Sequence, residues 1–368
     1  MGKATHNARL RQLIRDVDGA VGPFSSQQEL LAAVQRVREF NEPLHFDNST
    51  PKTLGILGTL VILATIAFAQ WGSPGAKAWL SGLSRFRYEE LLVLLGMAAL
   101  VCLVICFGLI YSRSNQLPRL SREIARHSSW LTHGLSNVAT PAGLLLQQLA
   151  SQFGDYARGN YSRAITQAVQ GQYPGELHSL PYTYYQLHYV NKRVVVTTES
   201  NGKGGTRLVT KTVYDHYDRY SLVIDFPWVE GIAARTSGSS ALDFEHGIDT
   251  ASSEFNKAFT LTGGTRMACA RFAKPVTVLH LLSMHRQLRK LNLEFSWNRQ
   301  LCMSFDDSNL LDFQLPCDLT QPEAFHELIR QGVRLHLLSN ALGLVHALAE
   351  QHDDNFSLPA AAAHQEEH

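Results

Sequence analysis

LLVLLGMAALVCLVICFGLIY, residues 91–111, carries no charged side chain. A helix rises about 1.5 Å per residue, so roughly 20 apolar residues cross the ~30 Å of bilayer hydrocarbon, and this run is long enough. A core helix of the same composition would be hydrophobic on every side and would need a large soluble shell, so the membrane reading is preferred. Residues 53–71, TLGILGTLVILATIAFAQW, are also uncharged and just long enough. The runs close on Trp71 and Tyr111, aromatic residues suited to the membrane interface. More than fifty residues precede the first run, which argues against a cleavable signal peptide.

Arg36, Arg38 and Lys52 precede the first span and Arg113, Arg119, Arg122 and Arg126 follow the second, while the loop between holds Lys77, Arg85 and Arg87. By the positive-inside rule both termini are expected in the cytoplasm, with residues 72–90 exposed on the far side. The five cysteines (102, 106, 269, 302 and 317) lack the spacing of a disulfide framework or a zinc site and suit a reducing compartment. Thirty-three Lys plus Arg against 32 Asp plus Glu give no global field for nucleic acid, and no nucleic-acid partner is expected.

The rest of the chain predicts an α+β fold: a two-helix transmembrane hairpin plus a cytoplasmic domain of antiparallel strands packed by helices on one side. Residues 1–52 form amphipathic helices, the second opening with a Ser26 and Glu29 capping box. Residues 53–111 are the hairpin and 112–170 a helical stalk, restarting at Thr140-Pro141. The α+β domain occupies 171–350. Its strands are expected at 182–190, 193–198, 207–214 and 220–226, then a helix at 275–290, a hairpin at 292–296 and 300–305, and extended chain at 310–313. A small-residue loop fills 231–240, and a closing helix follows a Thr320 and Glu323 capping box. Residues 351–368 read as a solvated, disordered tail.

Asn201-Gly202-Lys203-Gly204-Gly205 lies between strands and lacks the strand, G-x-x-x-x-G-K-[ST], helix order of a phosphate loop, so it reads as a hairpin turn. The signatures of serine hydrolases, zinc proteases, kinases and dinucleotide enzymes are absent. Asp215, His216 and Asp218 stand among tyrosines at an expected strand end, where a carboxylate can orient an imidazole as a general base. Asp306 and Asp307 offer oxygen ligands but also have the composition of a turn. Asp215, His216 and Asp306 are the candidate catalytic residues, each with the plainer reading of polar strand end or turn preferred. His280 and His285 fall about 140° apart on one helix and read as separate histidines. Cys102 and Cys106 suit helix packing, and the basic residues Arg266, Arg271, Lys274, Arg286, Arg289 and Lys290 read as a solvated face. No metal or cofactor is expected.

Ser253-Glu254-Phe255-Asn256-Lys257-Ala258-Phe259, then Ala270-Arg271-Phe272-Ala273-Lys274-Pro275, then the hairpin at 293–305, occur in an order that resembles the domain of unknown function 3137 family. The resemblance covers residues 144–313, with the glycine-rich turn and the His-rich tail as departures. It implies a bacterial membrane hairpin ahead of an α+β domain and no assigned reaction. Because members resemble neighbours of LemA-type membrane proteins, it also implies a membrane-protein partner beside the lipid bilayer. The expected function is a membrane-anchored adaptor or structural component of a bacterial envelope complex. The alternative is a membrane-tethered hydrolase or small-ligand sensor built on Asp215, His216 and Asp306.

Overall fold

The computed structural model describes residues 3–22, 25–82, 87–200, 206–236, 244–306 and 309–356. Pro23, the expected turn at 201–205, residues 237–240 of the small-residue loop, Asp307 and the tail from 357 lie outside them. In chain order the elements begin with helices α1 (Lys3–Ala20), α2 (Gln27–Arg38), α3 (Ser49–Trp71), α4 (Pro74–Gly82), α5 (Tyr88–Ser114) and α6 (Gln116–Thr132). Strand β1 (Ser136–Asn137), helix α7 (Ala142–Gln152) and a 3-10 turn at Gly154–Ala157 lead into β2 (Ser162–Pro174), β3 (Ser179–Ser200), β4 (Thr206–Asp225), β5 (Ile232–Arg235) and β6 (His246–Gly247). Then come α8 (Ser253–Ala258), β7 (Thr260–Gly263), α9 (Arg266–Phe272), α10 (Pro275–Gln287), β8 (Arg289–Phe295), β9 (Gln300–Asp306), α11 (Pro322–Gln331) and α12 (His336–Phe356). The chain divides into two compact units, Met1–Leu131 with Gln314–Val333, and Thr132–Phe313 with Arg334–His368.

In the first unit the Ser26 and Glu29 capping box forms as its sequence predicts, each side chain satisfying the other residue's backbone N–H. It starts α2, whose Leu30, Ala33, Val34 and Val37 are buried. Gln27 donates to the Ile329 carbonyl and Arg38 pairs with Glu323 at 2.6 Å, which fixes α2 to α11. The expected Thr320 and Glu323 capping box does not form, because Pro322 opens α11 later and the Thr320 hydroxyl turns to Asp318. α3 and α5 are long and apolar enough to cross a membrane. They pack through small residues: a Cβ at Gly58 would stand 3.4 Å from the Ala99 carbonyl and from Leu103. Where α3 begins and α5 ends, Arg113 donates to Asn48 Oδ1 at 3.1 Å.

The second unit is a nine-stranded antiparallel sheet of order β1-β2-β3-β4-β9-β8-β5-β7-β6. The fold is therefore α+β, as the strand and helix patterns predict. Helices cover both faces rather than one. Leu145 and Leu149 of α7 pack with Phe153, Tyr156, Tyr185, Leu187, Val223 and Cys302 on one face. On the other, Phe295 meets Phe226 and Phe272 at 5.2 and 5.3 Å, and Phe272 stacks on His352 of α12 at 5.1 Å.

Several expected boundaries are corrected. The helical stalk stops short of 170, because Ser162–Pro174 is strand β2, paired along its length with β3. Its Gln and Ala residues favour helix locally, and the ladder with β3 overrides that weak preference. The strands expected at 182–190 and 193–198 are one strand, as are those at 207–214 and 220–226, so residues 215–219 lie mid-strand. Part of the expected loop at 231–240 is β5. Residues 310–313 form no strand: Leu310 and Leu311 lie in a turn closed by the Asp312 N–H on the Asn309 carbonyl, and Tyr184 Oη donates to Asn309 and accepts the Leu310 N–H. The tail expected from 351 begins inside α12, where His352 is buried.

Candidate functional site

Asp215 and His216 are neighbours in a continuous strand, so their side chains leave β4 on opposite faces. Asp215 is taken by Arg193, whose Nε and Nη2 donate at 2.5 and 3.3 Å. That hydrogen-bonded pair holds the Asp215 carboxyl below the usual carboxylate range. On the other face His216 Nδ1 lies 3.1 Å from His188 Nε2, and His188 Nδ1 lies 3.0 Å from Asp218 Oδ1. The two imidazoles are nearly parallel, 28° between planes with centres 5.3 Å apart. The carboxylate that orients this histidine pair is therefore Asp218, acting through His188, and not Asp215.

An ionised carboxylate only accepts hydrogen bonds, so with both rings neutral the directions follow by elimination. Asp218 accepts from His188 Nδ1–H, and His188 Nε2 accepts from His216 Nδ1–H. His216 Nε2 is left with its lone pair outward, the arrangement a general base needs. Sequence reading missed His188, which sits thirty residues earlier and meets Asp218 only through the β3–β4 register.

Asp306 belongs to a different cluster. Arg219, 1% exposed, donates Nη1 to Asp306 Oδ1 and to the Lys290 carbonyl, both at 2.8 Å. Its Nη2 donates to Asp155 at 3.0 Å and to Ser304 at 3.1 Å. Asp155 also meets Arg158, the Ser304 hydroxyl, and Asn292 Nδ2 at 2.9 Å. Lys290 reaches Asp306 at 2.8 Å from a left-handed backbone, φ +50, inside a bulge that shifts the β8–β9 register. Burial works against ionised Asp155 and Asp306. Arg219 and Arg158 outweigh it at Asp155, and Lys290 and Arg219 at Asp306, so both stay below the usual range.

Glu294, in the same layer, accepts the Gly154 N–H at 2.6 Å and is 3.4 Å from Arg235. Burial, with Asp155 adding repulsion, pushes its pKa up to about 7. The sequence held one signal for this cluster. Glu294 sits among Leu291, Leu293 and Phe295 in a strand, where a charged residue is costly unless partnered.

A groove of about 760 Å³ runs across β2, β3, β4 and β9 beside α7, lined by Gln148, Gln152, Gln172, Thr183, Asp225 and Gln300 among others. None of Asp215, His216 and Asp306 lines it. Among the described residues, no three His, Cys, Asp or Glu stand where they would hold a metal ion. His280 Nε2 donates to the Leu344 carbonyl at 2.8 Å, while His285 packs edge-on against Phe259, so the two are separate. Arg286 pairs with Glu254 and Lys274 donates to the Gln351 carbonyl, so the basic stretch is partly engaged within the fold.

Protein-family models, curated proteins and solved structures were each compared with the chain, and none matches it.

Proposed function

We propose that the chain is a membrane-anchored adaptor or structural component of a bacterial envelope complex. α3 and α5 cross the inner membrane as a hairpin, and both termini are cytoplasmic. The observation that carries the anchor is the outward surface of these helices. Leu57, Leu60, Leu63, Val104, Ile105 and Phe107 are all more than half exposed, a cost in water that hydrocarbon removes. Basic residues outside both spans, from Arg36 to Lys52 and from Arg113 to Arg126, support the orientation.

An adaptor is favoured over an enzyme because the candidate groups are dispersed. Asp215 is spent on Arg193, Asp306 on Arg219 and Lys290, and the buried charges satisfy one another instead of converging on the groove. The resemblance of residues 144–313 to the domain of unknown function 3137 family, which implies no reaction, supports the membrane-anchored architecture and suggests a LemA-type membrane protein as partner. The test is mass spectrometry of what co-purifies with the tagged chain from native membranes in mild detergent, with an unrelated two-span protein as control. A stoichiometric protein partner supports the adaptor, and its absence together with a retained small molecule moves the reading to a sensor. The hydrolase alternative has one observation of its own, the Asp218, His188 and His216 chain.

A further inference from the structure

β3 and β4 outrun the sheet that holds them. Pairing of β2 with β3 ends at Ser162 and Val190, and pairing of β9 with β4 begins at Tyr220 and Phe305. Residues 191–200 and 206–215 therefore pair only with each other, as a two-stranded ribbon roughly 30 Å long at about 3.3 Å per residue. Two strands alone are marginal in water, so such a ribbon is expected to be stabilised by something laid against it.

Its two faces differ. Cross-strand partners Val194 and Thr212, Val196 and Thr210, and Thr198 and Leu208 share one face with Lys192 and Tyr214, so its charge is confined to Lys192 at the ribbon's base. Val194, Val196 and Leu208 there are 62%, 59% and 76% exposed. Alternation sends Arg193, Arg207 and Lys211 to the opposite face, together with Asp215, the ion-pair partner of Arg193. At the ribbon's base the rings of Tyr161 and Tyr214 lie 4.9 Å apart, with the Lys192 ammonium 5.9 Å from the centre of the Tyr161 ring. Between 191 and 215 there are five Lys or Arg against two acidic residues, in a chain whose net charge is only +1.

We propose that this ribbon docks on an anionic lipid surface with the face of Val194, Val196, Leu208 and Lys192 against the headgroup layer. An apolar face backed by Lys and Arg is the pattern of elements that lie in a membrane interface. Tyrosine and lysine at the base suit headgroup level. Each well-placed basic residue strengthens attraction to an anionic leaflet roughly fivefold. The outer strand edges carry backbone groups without strand partners, so the ribbon rests where headgroups and water can satisfy them and does not cross the hydrocarbon. The proposal rests on the anchor assigned above, because a tethered domain needs only weak affinity to dock.

The test uses the full chain in single-copy nanodiscs of phosphatidylcholine alone or mixed with anionic phosphatidylglycerol, read by amide hydrogen exchange. Residues 192–198 and 207–214 are expected to exchange about tenfold slower in the anionic discs. High salt, or the double substitution Arg207→Glu with Lys211→Glu, should remove that protection while the circular dichroism of the chain stays the same. Equal exchange in both lipids overturns the proposal, and slowing that appears only with two copies per disc assigns the face to a second chain instead. A chain that enters neither disc overturns the anchor reading and this proposal with it, whereas entry without ribbon protection overturns this proposal alone.

Discussion

Glu294 on β8 accepts the backbone N–H of Gly154 at 2.6 Å and so ties the sheet to the 3-10 turn that carries Asp155. Its pKa of about 7 lies above the 4.5 of a free glutamate. The unfolded chain therefore loses that proton first, and stability falls as pH rises from about 4.5 to 7. His352 runs the other way. Burial, with Lys274 nearby, lowers it to about 4, so stability falls as pH drops from about 6.5 to 4. The two windows overlap with opposite sign. Glu294→Gln keeps an acceptor for Gly154 and is expected to be more stable than the parent at pH 8 by roughly 2–3 kcal/mol, with a stability that climbs from pH 4 to 6.5. Denaturant titrations across pH check this; a slope unchanged by the substitution counts against the assignment.

Arg219→Met should destabilise the second unit by about 3–5 kcal/mol, since it strands the buried carboxylate of Asp155 without its main counter-charge. Pairing it with Asp155→Asn should recover much of the loss. Thermal denaturation of the three variants decides the matter, and simple additivity of the two single losses would show that the residues are not coupled.

Asp218→Asn tests the histidine chain. In the parent, imidazole nitrogen resonances at neutral pH should place the His188 proton on Nδ1, and the substitution should redistribute it. If a hydrolytic substrate is found, His216→Ala should cost 10²- to 10⁴-fold in kcat, about what a general base supplies. Activity untouched by His216→Ala would remove the hydrolase alternative at this site.

Gly58→Leu should part α3 from α5, because even a Cβ meets the Ala99 carbonyl and Leu103 at 3.4 Å. A loss of roughly 1–3 kcal/mol is expected from the overpacked contact, read as lower thermal stability in detergent. Gly108, with no neighbour within 4 Å of its added Cβ, is the control position.

What the sequence made legible was local. The Ser26 and Glu29 cap is written in four residues, and the β8–β9 hairpin announces itself by two apolar runs around Trp297-Asn298-Arg299. The uncharged runs of α3 and α5 need no tertiary context to be recognised. The failures were nonlocal or depended on phase. β2 became a strand because β3 lies beside it, and Thr320 caps nothing because Pro322 opens α11 later and its hydroxyl turns to Asp318. Asp215 and His216 looked like partners because strand alternation was ignored at a supposed strand end. Asp155 and Arg219 are sixty-four residues apart, and no pattern along the chain announces that they meet.

The register of β3 against β4 runs unbroken from Tyr182 and Ile224 out to Ser200 and Thr206. A single residue inserted within either arm would turn the inward-facing Arg219 or Tyr185 layer outward, whereas residues added between Ser200 and Thr206 leave every pair below them in phase. That end of the ribbon is thus the place where length can vary freely, in evolution or by grafting an epitope, without the sheet beneath taking any notice.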